Sequence, residues 1–174
     1  MIAFKSSLPG NSLLYKHPDA IHYKDSFAAN IPGTQPVSIE QTGKAFFSST
    51  PSWVTKLMQI RDSIVRRMGL KTTPHRKNKP QLAFVPGEKA GIFNILDKND
   101  QELILGEDDK HLNFRVSLYL QPSESTAQQL VCTTTVHYNN AWGKLYFFFV
   151  KPFHRLIVPA ILKKTVYQLR TSAQ

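Results

Sequence analysis

The stretch Gly106 to Arg115, GEDDKHLNFR, puts three carboxylates, a lysine, a histidine and an arginine into ten positions. Two chemistries suit such a set. Asp108, Asp109 and His111 offer oxygen and imidazole donors of the kind that hold a divalent cation. Asp108 and His111, joined by His154 from further along the chain, could instead move protons as general acid and base. Against the first stands the lack of a second His or Cys cluster with ligand spacing. Against the second stands the lack of a visible nucleophile, and neither GxSxG, a P-loop, GxGxxG nor HExxH occurs. The sequence designates no metal ligand, no cofactor and no catalytic residue.

An ordinary hairpin accounts for most of these charges. Leu112, Phe114, Val116, Leu118 and Leu120 alternate with Asn113, Arg115, Ser117 and Tyr119, which is the period of a strand. A two-residue tip at Asp108-Asp109 sets Leu105 opposite Leu112 and Leu103 opposite Phe114. The same register pairs Glu107 with Lys110 and Glu102 with Arg115, worth about 0.2–1 kcal/mol each. Asp108 or Asp109 is then left as a mate for Arg61, which interrupts the apolar arc of a helix and must either snorkel outward or meet a carboxylate.

That helix runs from Ser52 to Met68. Trp53, Leu57, Ile60, Ile64 and Met68 share one arc, Pro51 opens it and Gly69 closes it. A shorter helix precedes it, announced by the capping box Ser38-Ile39-Glu40-Gln41 and running to about Phe47. A first strand is expected over Ala20–Ile31, with Tyr23 on one face and Asp25 at the same spacing. After the polar loop Lys71–Pro80 the period changes from that of a helix to that of a strand. Strands are expected at Gln81–Val85, Gly91–Leu96, Glu102–Gly106, Leu112–Leu120 and Gln129–Tyr138. Their connections are too short for parallel crossovers, so the sheet is antiparallel. Ala141 to about Leu169 reads as a long helix interrupted by Pro152 and Pro159, where kinks are expected. Lys144–Val150 also fits a last strand, being aromatic and β-branched.

The whole is one domain of residues 20–170 behind an extended arm of residues 1–19. A chain of 174 residues buries roughly 70% of its unfolded surface without a staple. The single cysteine, Cys132, lies in a β-branched run and reads as a buried thiol. The N-terminus has no apolar leader and the longest apolar run, Leu145–Val150, is far short of a membrane span, so a soluble cytoplasmic protein is expected. The net charge of +10 suits acidic partners, and Arg66, Arg67, Lys71, Arg76, Lys77 and Lys79 cluster in residues 66–79. No nucleic-acid motif accompanies them.

The order strand, two helices, antiparallel strands, long C-terminal helix resembles the helix-grip pattern of the START/Bet v 1-like (SRPBCC) superfamily. The blocks WVTKLMQIRDSIVRRMGL, LGEDDKHLNFRVSL and GKLYFFFVKPFHRLIV look like those of an uncharacterised bacterial domain family, whose relatives stand behind short-chain-dehydrogenase-like domains. The resemblance covers about residues 18 to 170. It implies an α+β fold in which a curved antiparallel sheet wraps the last helix. It also implies a pocket between them for a small hydrophobic ligand. Wall candidates are Trp53, Leu57, Phe114, Val116, Leu118, Tyr146, Phe149 and Phe153, for which plain core packing is the competing explanation. Arg61, Arg115 and His154 would supply polar contacts if they point inward. The rivals are a cyclase- or hydratase-like enzyme using Asp108, His111 and His154, and a basic module binding protein or nucleic acid through residues 66–79. Oligomeric state stays open.

Overall fold

The computed structural model describes residues 2–17, 20–33, 35–54, 56, 84–90, 93–123 and 128–172. The strands are β1 (Phe4–Lys5), β2 (Tyr23–Ile31), β3 (Lys89–Ala90), β4 (Phe93–Lys98), β5 (Glu102–Asp108), β6 (Leu112–Pro122) and β7 (Gln128–Tyr138). The α-helices described from end to end are α1 (Ile39–Ser48) and α2 (Ala141–Ser172). All seven strands form one antiparallel sheet in the order β1-β2-β7-β6-β5-β4-β3. This is an α+β helix-grip architecture.

Strand alternation divides the sheet into an inner and an outer face. Phe27, Ala29 and Ile31 of β2, Leu130 and Cys132 of β7, Val116, Leu118 and Leu120 of β6, and Leu103 and Leu105 of β5 face inward. There they bury against Leu162, Val166 and Leu169 of α2. The other half of α2 sets Phe147 against Tyr23, Leu112 and Val136. Lys144–Val150 is helical, which settles the choice between helix and strand. Among the described residues α2 alone is long and apolar enough to cross a membrane by length and composition. A count of unbroken apolar residues misses this, because Lys151 interrupts a stretch that is greasy on average.

The capping box forms as expected: Ser38 Oγ accepts from Gln41 N at 3.2 Å, and Gln41 Oε1 accepts from Ser38 N at 2.8 Å. The last turn of α1 is tied to α2, since Ser48 and Ser49 both donate to Gln168 Oε1 at 2.8 Å. On the far side Lys98 Nζ meets Glu40 Oε1 at 2.7 Å, and that ammonium holds the Glu40 carboxyl below the usual carboxylate range. Of the helix expected from Ser52, Ser52–Val54 and Lys56 are helical. Leu57, Arg61, the rest of that helix and the basic loop to residue 79 lie outside the described residues, as does the start of the strand expected at Gln81.

Phe84 and Val85, the described end of that expected strand, are not extended pairs. Phe84 has φ of 51° and is fully buried. A phenylalanine in the left-handed region is costly, and its ring compensates by stacking on Phe47 and pressing against Gly43, where a Cβ would sit 2.7 Å from the ring.

The β5–β6 hairpin turns two residues later than its charge pattern suggests. Leu105 faces Val116, Leu103 faces Leu118, Glu107 faces Phe114 and Glu102 faces Tyr119. Asp109 N bonds Leu112 O at 3.1 Å, so Lys110-His111 is the tip. Partners therefore shift by four positions, an even number, which keeps apolar on apolar and removes both expected ion pairs. The period-2 pattern cannot discriminate such slips, because β6 is apolar at five successive inward positions. What selects the register is tertiary: Asn139 Nδ2 donates to Asp109 O at 2.6 Å and Asn140 Nδ2 to Lys110 O at 2.9 Å. Asn140 also caps α2, its Oδ1 accepting from Gly143 N at 3.0 Å. Only glycine fits at 143, because a Cβ there would lie 1.9 Å from His111 O.

The N-terminal arm covers the outer face. Phe4–Lys5 adds an edge strand to β2, and Leu13 and Leu14, in the 3-10 turn Leu13–Lys16, bury against Ile104. Glu102, fully buried, anchors that turn. Its carboxyl group accepts from Ser12 Oγ at 2.6 Å, from Leu13 N at 2.5 Å and from Ser117 Oγ.

Candidate functional site

Two features of the inner face could do chemistry or bind. The first is polar. Alternation along β2 puts Asp25 on the same side as Tyr23 and Phe27, beneath the middle of α2. Tyr23 Oη donates to Asp25 Oδ2 at 2.6 Å, and His154 Nε2 lies 3.2 Å from Asp25 Oδ1. Each carboxyl oxygen thus has its own partner. The Tyr23 ring packs on Phe147 at 4.8 Å and edge-on to His154 at 6.1 Å, and Lys151 Nζ stands 5.2 Å from its centre. Burial, reinforced by the bond to Asp25 and opposed by the Arg155 guanidinium, pushes the Tyr23 phenol up to about 12. Burial also pushes the nearby Cys132 thiol up to about 12. At neutral pH both keep their protons, so the phenol acts as a donor and the thiol is no nucleophile. The cluster is suited to fastening α2 to β2 rather than to bond-making.

The second feature is apolar. Phe46 and Phe47 of α1, Phe93 of β4, Phe114 of β6, and Tyr146 and Val150 of α2 are all half-buried. The phenylalanine rings touch in series: Phe46 to Phe47 at 5.7 Å, Phe47 to Phe93 at 5.9 Å, Phe93 to Phe114 at 5.6 Å. Phe114 joins the two halves, since it packs against the main core and also against the cluster around Phe147, Tyr146 and Val150. Val116 and Leu118 are buried beneath.

The structure therefore brings together some of the expected wall residues and separates others. Phe114, Val116, Leu118 and Tyr146 share the inner face. Trp53 is 41% exposed. Phe149 and Phe153, expected to line an interior, are 62% and 49% exposed on the outer side of α2. Three consecutive phenylalanines spread over more than half a helix circumference, and the contact falls on Phe147, in phase with Gly143 and His154. Arg115, expected among the polar contacts, faces the arm instead, beside Leu8, Leu14 and His17, and its Nη1 meets Asp108 Oδ1 at 2.6 Å. Asp108 has that partner in place of the expected Arg61, which lies outside the described residues.

The proposed acid/base set does not assemble. His111 is at the hairpin tip, with Nδ1 3.1 Å from Asn140 Oδ1 at the start of α2. His154 is eleven residues beyond Gly143, about 16 Å along the helix at 1.5 Å per residue. No group of three or more His, Cys, Asp or Glu among the described residues is placed to hold a metal ion. Sequence reasoning missed Asp25 and Glu102 as the organising carboxyls. Asp25 carried a signal, an acid at the inward spacing of an otherwise apolar strand.

A family model described as a protein of unknown function, DUF2867, matches residues 17–161. The chain belongs to the DUF2867 family. No curated protein and no solved structure matches it. The matched span takes in β2, the whole of β3–β7 and α2 as far as Ile161, so the DUF2867 unit contains both the ring series and the Asp25–His154 contact.

Proposed function

We propose that this DUF2867 chain is a non-enzymatic, START/Bet v 1-like binding domain that holds a small hydrophobic molecule in the groove between α1, α2 and the inner sheet face. The observation that carries the reading is the half-buried ring series through Phe114. Aromatic side chains contribute most when fully buried, so five half-open ones, with the half-buried Val150 beside them, leave apolar surface that a flat or chain-like ligand would remove from water. The Tyr23–Asp25–His154 cluster fits as the fastening that keeps one wall in place. An enzymatic role has less behind it: among the described residues the thiol nearest that cluster, Cys132, keeps its proton, and His111 is remote.

Native mass spectrometry of the purified chain is expected to reveal a co-purified apolar molecule. In titrations with N-phenyl-1-naphthylamine, Phe114→Ser should weaken binding about tenfold, some 1.4 kcal/mol, while Phe148→Ser, on the outer side of α2, should leave it unchanged. Equal binding by all three proteins, each folded by circular dichroism, rules the groove out.

A further inference from the structure

The inner face of α2 is used by the sheet, yet its outer face is as apolar. Trp142, Leu145, Phe148, Phe149, Phe153 and Leu156 are all between 47% and 70% exposed, at spacings of three and four residues that place them on one side. Tyr167 continues the side at 59%. Contiguous apolar surface on this scale marks a contact with something.

Charge says what kind of contact. From Ala141 to the end of the chain there are six cations, Lys144, Lys151, Arg155, Lys163, Lys164 and Arg170, and not one Asp or Glu. Lys144, Lys163, Lys164 and Arg170 are exposed. A second copy of the chain docked through this face would set cations against cations with no acid on the face to answer them. An anionic surface answers all of them at once. The ends of the stripe carry Trp142 and Tyr167, amphipathic rings suited to the boundary between hydrocarbon and headgroups.

We propose that the outer face of α2 is a docking surface for an anionic lipid bilayer, with the helix lying in the plane of the headgroups. Crossing is the other use of a helix this long and apolar, but Phe147, Leu162, Val166 and Leu169 are buried against the sheet and hold the axis alongside it. Phe148, Phe149 and Leu156 enter the acyl boundary while the lysines meet the phosphates, the division expected of an interfacial helix.

Flotation of the full chain with phosphatidylcholine vesicles, with and without phosphatidylglycerol, tests this directly. The chain should float with the anionic vesicles and not with neutral ones, and salt should weaken the association. In a Trp53→Phe background, Trp142 emission should shift to the blue on binding. Phe148→Ser with Phe149→Ser, both exposed and so harmless to folding, should lower partitioning more than tenfold. Lys144→Gln should lower it about fivefold. Failure of the folded wild-type chain to float, or equal flotation with neutral vesicles, overturns the proposal. So does a dimer in solution that the double phenylalanine variant dissolves while no vesicles bind, since the occupant is then a second copy.

Discussion

Two carboxyl groups sit on opposite faces of the same sheet, and they are held in different ways. Glu102, on the outer face, is fully buried and surrounded by a backbone amide and two serine hydroxyls. None of these ionises in the physiological range, and two of them, the Ser12 hydroxyl and the Leu13 amide, belong to the 3-10 turn and its cap. Asp25, on the inner face, has a side chain 14% exposed and is held by a phenol and an imidazole. Buried polar groups must be satisfied, but the partners decide what else they can do. The outer site is a fixed anchor for the arm. The inner site is a fastening between β2 and α2, beside the aromatic ring series.

The largest effect should come from breaking the anchor. Glu102→Ala strands three donors in a dry place and should cost about 4 kcal/mol, measured by urea unfolding. Asp25→Ala should cost about 1–2 kcal/mol, because its partners reach water more easily. Equal losses would erase the contrast. The two sides of α2 offer the next comparison. Phe147→Ala should cost about 3–4 kcal/mol and Phe148→Ala within about 0.5 kcal/mol.

A different comparison concerns pH. The folded phenol of Tyr23 and thiol of Cys132 titrate near 12, against 10.0 and 9.0 for the free groups. Between those values the unfolded chain has released protons that the folded chain retains. Stability should therefore fall as pH rises from about 9 to about 12, read by urea unfolding across that range. Asp25→Asn should bring the Tyr23 phenol part of the way back toward 10, read by phenolate absorbance; a full return would mean that burial is not its main cause. The smallest expected effect is none: Cys132 should resist iodoacetamide in the native state and react only in denaturant.

Much of this architecture is legible without coordinates. Five of the strands and the capping box follow from alternation and from one serine–glutamine pair, because those signals are local. The hairpin register is not legible, since β6 presents the same apolar face at every even slip and the deciding bonds come from Asn139 and Asn140, some thirty positions away. Nor is the inward phase of α2, because three adjacent phenylalanines satisfy any orientation until the closely packed Gly143 fixes one. Glu102 reads as a surface charge at a strand start; its burial depends on an arm that low hydrophobicity and prolines make look detached.

The placement of β2 against β7 has a kinetic consequence. Tyr23 pairs with Val136 and Ile31 with Gln128, so the centre of the sheet joins segments roughly a hundred residues apart, and such closures slow folding. During synthesis β2 must wait until β7 has emerged. Fragments ending before residue 128 would leave its edge open to whatever strand comes first.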